Sequence, residues 1–178
     1  MIKDLFENDL GIMEGTFFSE LFGYEMHVWY DKEVPLEYVE KNIQYFNHLE
    51  AEFVLDICRA LKRYYEFYKE EYPDLCDECE EVQGDVLAGY EENPKSILEY
   101  IHVTTYKFSK CSASDEDVPV MNLRGGSAWS GDSGVTIAAK NNQLLFVGEW
   151  SDINLWDDGA KMIFNSRFNF AKTKINNS

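Results

Sequence analysis

The sequence predicts an α+β fold: an antiparallel-rich sheet, built from an N-terminal hairpin and a C-terminal meander, packed against one long helix or two stacked ones. Three observations carry this. Apolar and polar residues alternate from Glu25 to Asp31, the two-residue period of a half-buried strand. Apolar residues then recur every three or four positions from Leu36 to Tyr68, the period of an amphipathic helix. Short apolar runs bounded by Gly and Asn return in the last third, as in a meander. The 178 residues fit a single domain, 1–178.

Residues 1–34 read as strands. Gly15-Thr16-Phe17-Phe18 leads toward Phe22-Gly23-Tyr24, with Gly23 as the turn into the next strand. On that strand Met26, Val28 and Tyr30 share one face, and Glu25, His27, Trp29 and Asp31 the other. Residues 35–72 read as the long helix. Pro35 suits a first helical position, where its missing N–H costs nothing. Val39, Ile43, Phe46, Leu49, Phe53, Ile57, Leu61, Tyr64 and Tyr68 form one stripe, with a break allowed near Asn47-His48. Pro73 ends the helix by disfavouring helical geometry at Tyr72.

Residues 73–92 are an acidic segment interrupted by Gly84 and Gly89, and residues 93–101 a short helix that starts at Pro94. Residues 102–152 return to strands: His102–Phe108, Val118–Leu123, a bend at Gly125-Gly126, then Gly134–Ala139 and Gln143–Gly148 joined by Asn141-Asn142. Asn tolerates the positive φ that a two-residue hairpin turn requires. Residues 153–178 form a C-terminal extension whose last 18 residues hold four bases and no acids.

Charge narrows the function. Thirty-three acids against sixteen bases give a net charge of −17, which excludes a general nucleic-acid binder, since that needs a cationic face. No apolar run approaches the roughly 20 residues that span a bilayer. Met1–Glu7 carries no apolar signal region, so a cytoplasmic location is expected, with Cys58, Cys76, Cys79 and Cys111 reduced. The excess charge is concentrated: residues 66–92 hold eleven acids and one base, Lys69, a local net of −10.

Four patterns invite a chemical reading. Cys76-Asp77-Glu78-Cys79 is a C-x-x-C, but the surrounding acids raise a thiol pKa, and a zinc site needs two further ligands at suitable spacing; an exposed acidic turn is the expectation. Gly131-Asp132-Ser133-Gly134 matches the string around a protease nucleophile, yet no histidine stands in the context of a base, so a tight turn is expected. Asp115-Glu116-Asp117 and the run from Asp152 to Gly159 suggest calcium, but the second breaks the EF-hand pattern at Trp156, Asp157 and Ile163, and solvated loops are expected. Trp29, Trp129, Trp150 and Trp156 flank turns or strand ends. Core packing is the common fate of tryptophan, and a binding surface is the alternative.

The stretch Gly126-Ser127-Ala128-Trp129-Ser130-Gly131-Asp132-Ser133-Gly134-Val135, followed by Leu145-Phe146-Val147-Gly148-Glu149-Trp150-Ser151-Asp152, resembles the C-terminal signature of a bacterial domain-of-unknown-function family. Asn93–Ile101 is similar to that family's short helix before the sheet, and the likeness covers roughly residues 15–152. It implies no catalytic residues. It implies instead an association with polymorphic toxin systems, some members of such families resembling immunity proteins. The C-x-x-C region and the basic tail after Asp158 fall outside the shared pattern.

Together these readings point to a cytoplasmic, acidic binding protein without cofactor, metal or catalytic set. It would neutralise a basic toxin domain, a nuclease being one form of it, by protein–protein contact, and neither nucleic acid nor membrane is a partner. Asp74, Asp77, Glu78, Glu80, Glu81 and Asp85 are the candidate steering residues, and Trp129 and Trp150 the candidate contacts. The alternatives are a small metal- or thiol-dependent enzyme using clustered carboxylates or Cys76 and Cys79, and a structural or regulatory oligomer subunit.

Overall fold

The structure, a computed structural model, describes residues 1–110, 115 and 117–172. Seven strands form one sheet in chain order: β1 (Lys3–Glu7), β2 (Ile12–Ser19), β3 (Tyr24–Asp31), β4 (Ile101–Phe108), β5 (Val120–Ser127), β6 (Val135–Lys140) and β7 (Gln143–Gly148). Neighbours are antiparallel except β3 and β4, which run parallel. A parallel pair needs a long crossover. Here it contains α1 (Leu36–Asn47), α2 (Ala51–Glu71), α3 (Pro73–Gln83), α4 (Val86–Glu92) and a 3-10 turn, Pro94–Tyr100.

The α+β expectation holds, and its two-helix version is the one realised. His48 leaves the helical region, and α2 begins after Glu50. Met26, Val28 and Tyr30 are buried and Glu25, His27 and Trp29 exposed, as the alternation requires. The helices cover this buried face. Phe46 of α1 meets Phe17 and Tyr106 edge-on at 6.2 and 5.4 Å, and Tyr38 meets Phe108 at 6.1 Å. Asn42 fixes α1 to the sheet: its Oδ1 accepts from the Val120 N–H at 2.7 Å, and its Nδ2 donates to the Tyr38 carbonyl at 2.9 Å.

Several local expectations change. The short helix after Pro94 is a 3-10 turn. Gly125-Gly126 is no bend; β5 runs through it to Ser127. A Cβ on Gly125 would lie 2.1 Å from the His102 carbonyl oxygen, so glycine allows the β4 backbone to pass there. The hairpin at Asn141-Asn142 forms as expected, both residues at positive φ (52° and 59°). The C-x-x-C is no exposed turn: it lies within α3 with both sulfurs buried. Cys111 and Glu116 lie outside the described residues.

Strands β5 and β6 are buried on both faces. The second face is closed by the chain after β7: Asn122 Nδ2 donates to the Ile153 carbonyl at 2.8 Å, Thr136 Oγ1 accepts from the Ser151 N–H at 2.9 Å, and Lys140 lies 3.6 Å from the Trp156 ring. Past the short helix α5 (Ala160–Phe164), the Phe170 N–H donates to the Val147 carbonyl at 2.7 Å and extends the edge of β7. Phe168 and Phe170 then pack on Phe67, and Phe170 stacks on Tyr64 at 5.1 Å. No helix among the described residues is long and apolar enough to cross a membrane.

Candidate functional site

Helix α3 begins at Pro73, whose fixed φ suits the first turn, and ends at Gly84, where φ is +92°. Cys76 and Cys79, three residues apart, lie on its inner face against the core. Asp74, Asp77, Glu78 and Glu81 follow the spacing i, i+3, i+4, i+7 and therefore form one stripe, about half a turn from the cysteines. All four are exposed. The apolar-and-acidic pattern that looked like an irregular turn is thus an amphipathic helix whose inward stripe is made of thiols.

The remaining two candidate acids do structural work. Glu80 is half-buried; it accepts hydrogen bonds from the Tyr65 hydroxyl and from Lys69 Nζ, the latter at 2.6 Å. Asp85 caps α4, its Oδ1 accepting from the Leu87 and Ala88 N–H groups at 3.0 Å each. Both carboxylates thus have partners within the chain, and Asp85 is exposed as well. Glu70 and Glu71 at the end of α2, and Glu91 and Glu92 at the end of α4, are exposed as well. Of the eleven acids between residues 66 and 92, Glu66 pairs with Lys62, Glu80 with Lys69, and Asp85 caps. The other eight have no hydrogen-bond or ion-pair partner among the described residues, leaving unpaired, exposed carboxylates on α2, α3 and α4, with Lys69 close enough to Asp77 to interact with it Coulombically. The sequence signal for Glu70, Glu71, Glu91 and Glu92 was present in the local charge of −10.

The two tryptophans separate. Trp129 is no contact residue. It is fully buried, its ring edge-on to Tyr64 at 5.8 Å and to Tyr65 at 5.6 Å, both on α2. The loop that inserts it is held by the Gly131–Ser133 3-10 turn, where the Ser130 hydroxyl and the Tyr64 hydroxyl both donate to the Gly134 carbonyl. Ser133 therefore belongs to a packed turn, and its N–H and carbonyl bind the Ser130 carbonyl and the Trp150 N–H. Trp150 is 58% exposed and lies over the Arg124 guanidinium at 5.2 Å. Arg124, 8% exposed, bonds Asp152 at 2.5 Å, and Lys107 reaches the same oxygen at 2.9 Å. These two cations, Arg124 first, hold the Asp152 carboxyl down at about 2. Strand alternation puts Arg124 on the face opposite the helices, so Trp150 and the α3 stripe rise from different sides of the sheet.

Burial pushes the Cys58 and Cys76 thiols up to about 11 and raises Cys79 as well. At neutral pH all three are protonated and poor nucleophiles. Among the described residues no three His, Cys, Asp or Glu side chains converge as a metal site would require.

A family model for a domain of unknown function, DUF6985, matches residues 4–155. The chain belongs to the DUF6985 family. No curated protein and no solved structure is significantly similar to it. The match spans all of the sheet but its first residue and all four crossover helices, so in this DUF6985 domain α3 and the Trp129 loop both lie within the matched range. The chain from Trp156 onward, which carries the basic tail, lies beyond the match. In that tail Lys161 pairs with Asp158, Lys172 bonds Asn165 and Arg167 lies over the Phe168 ring. None of these described bases pairs with α3.

Proposed function

We propose that this DUF6985 protein acts by binding rather than by catalysis, and that it captures a basic protein partner through the acidic surface of α2, α3 and α4. One observation carries this reading: eight carboxylates on consecutive helices stand exposed without a hydrogen-bond or ion-pair partner among the described residues, while the described bases of the tail are engaged elsewhere. Like charges spaced i, i+4 destabilise a helix, as Asp74 with Glu78 and Asp77 with Glu81 do here, so the stripe is kept at some cost to stability. A concentrated negative field steers a cationic partner and raises its association rate by about 10–10³-fold at low salt.

An immunity protein that neutralises a toxin domain is the form of this function we infer, with a phosphate-binding groove as the kind of surface such acids would fill. The protected thiols and the turn-bound Ser133 support binding over thiol or serine chemistry. Trp150 is available as an aromatic contact on the opposite side of the sheet. The test is a variant with Asp74→Asn, Asp77→Asn, Glu78→Gln and Glu81→Gln, co-expressed with the product of the gene adjacent to this one. Loss of salt-sensitive association with a basic partner supports the proposal. Unchanged association at every salt concentration contradicts it.

A further inference from the structure

Where the sheet meets the end of α3, a cleft of about 730 Å³ opens between the β2–β3 turn and the 3-10 turn that precedes β4. One wall is aromatic. Phe22 and Tyr24 stack at 5.8 Å, and the His102 ring follows Tyr24 at 5.1 Å, so three rings form a continuous row. Gln83, the last residue of α3, lines the cleft, and the Tyr100 hydroxyl ties the far wall to the Gln83 and Gly84 carbonyls at 3.2 Å each. Glu20 and Glu99 also line it and are exposed, opposed there by Lys95 alone among full charges. The cleft is thus an aromatic slot with a net negative lining, continuous with the acidic helix.

Resting on the reading of a basic partner, we propose that this cleft receives an arginine side chain of that partner. A planar guanidinium stacks on aromatic faces and offers paired N–H groups to carboxylates, whereas an ammonium makes only point contacts. The acids of α3 supply the long-range attraction, and the cleft supplies the short-range anchor that sets the dissociation rate. Lys95 works against the cation and tunes the affinity downward.

The full chain titrated with acetyl-Arg-Gly-Arg-amide, and with the same peptide carrying citrulline in place of arginine, tests this by amide chemical-shift mapping. The expected result is perturbation centred on Phe22, Tyr24, Glu99 and His102, with citrulline binding roughly tenfold weaker. Glu99→Gln should weaken the arginine peptide, and Lys95→Gln should tighten it; both positions are exposed, so both variants fold. Equal binding of the two peptides would overturn the proposal. Perturbation confined to α3 would also overturn it while leaving the acidic-capture function standing, whereas a peptide that perturbs neither α3 nor the cleft contradicts both.

Discussion

Trp129 and Trp150 have opposite consequences if lost. Trp129 fills the space between Tyr64, Tyr65 and the Gly126–Gly134 loop, so Trp129→Ala leaves a large cavity and should cost about 3–5 kcal/mol in denaturant unfolding. Trp150→Ala removes an exposed ring over Arg124 and should cost about 1 kcal/mol or less. Asp152 gives a pH signature. Its folded pKa is depressed to about 2 by Arg124 and Lys107, so its stabilisation is present above the unfolded value near 4 and is lost as pH falls from about 4 to 2. Asp152→Asn should therefore lower stability at neutral pH and converge on wild type only below pH 2. The carboxylate is well exposed, so solvent screening keeps the difference small, about 1 kcal/mol.

Helix α3 carries the functional argument. Replacing Asp74, Asp77, Glu78 and Glu81 by their amides removes like-charge neighbours without touching the buried face. Thermal unfolding should occur at or above the wild-type temperature, which separates loss of binding from loss of fold. In a Cys111→Ser background, Cys58, Cys76 and Cys79 should react with a thiol reagent only as fast as the protein opens, because burial both shields and protonates them. Much of this was legible in advance. The charge excess and the long apolar stripe are additive properties of local sequence, and they located α1, α2 and the acidic surface. The helix itself was not legible, because two cysteines are a short apolar signal and the flanking Gly84 and Gly89 read as breakers. Glu80 and Asp85 look like their acidic neighbours in sequence. Only the third dimension shows Tyr65 and Lys69 beside one and the start of α4 above the other. Trp129 escaped for a related reason: its loop is polar, and the pocket that receives it is built by α2, far along the chain.

For the molecule as a whole, the family's unit ends near Leu155, yet the described residues beyond it are packed rather than appended. Asn169 bridges the edge of β7, accepting from the Val147 N–H at 3.2 Å and donating to the Leu145 carbonyl at 2.7 Å, while Arg63 on α2 holds the Phe170 carbonyl at 2.8 Å. Phe170→Ala should accordingly destabilise by about 3 kcal/mol, measured by denaturant unfolding. The described part of that tail covers the free edge of β7 and makes no ion pair with α3. The sheet thus serves as a rigid platform: the helices on one face display charge, and the covered second face presents Trp150. The most direct measurement is the association rate between this chain and the proposed basic partner, sought in the product of the adjacent gene, followed from low to high salt for wild type and for the four-fold α3 variant. The wild-type rate should fall steeply with salt, and the variant rate should be slow and nearly salt-independent. Equal rates with equal salt dependence would contradict capture by the acidic surface.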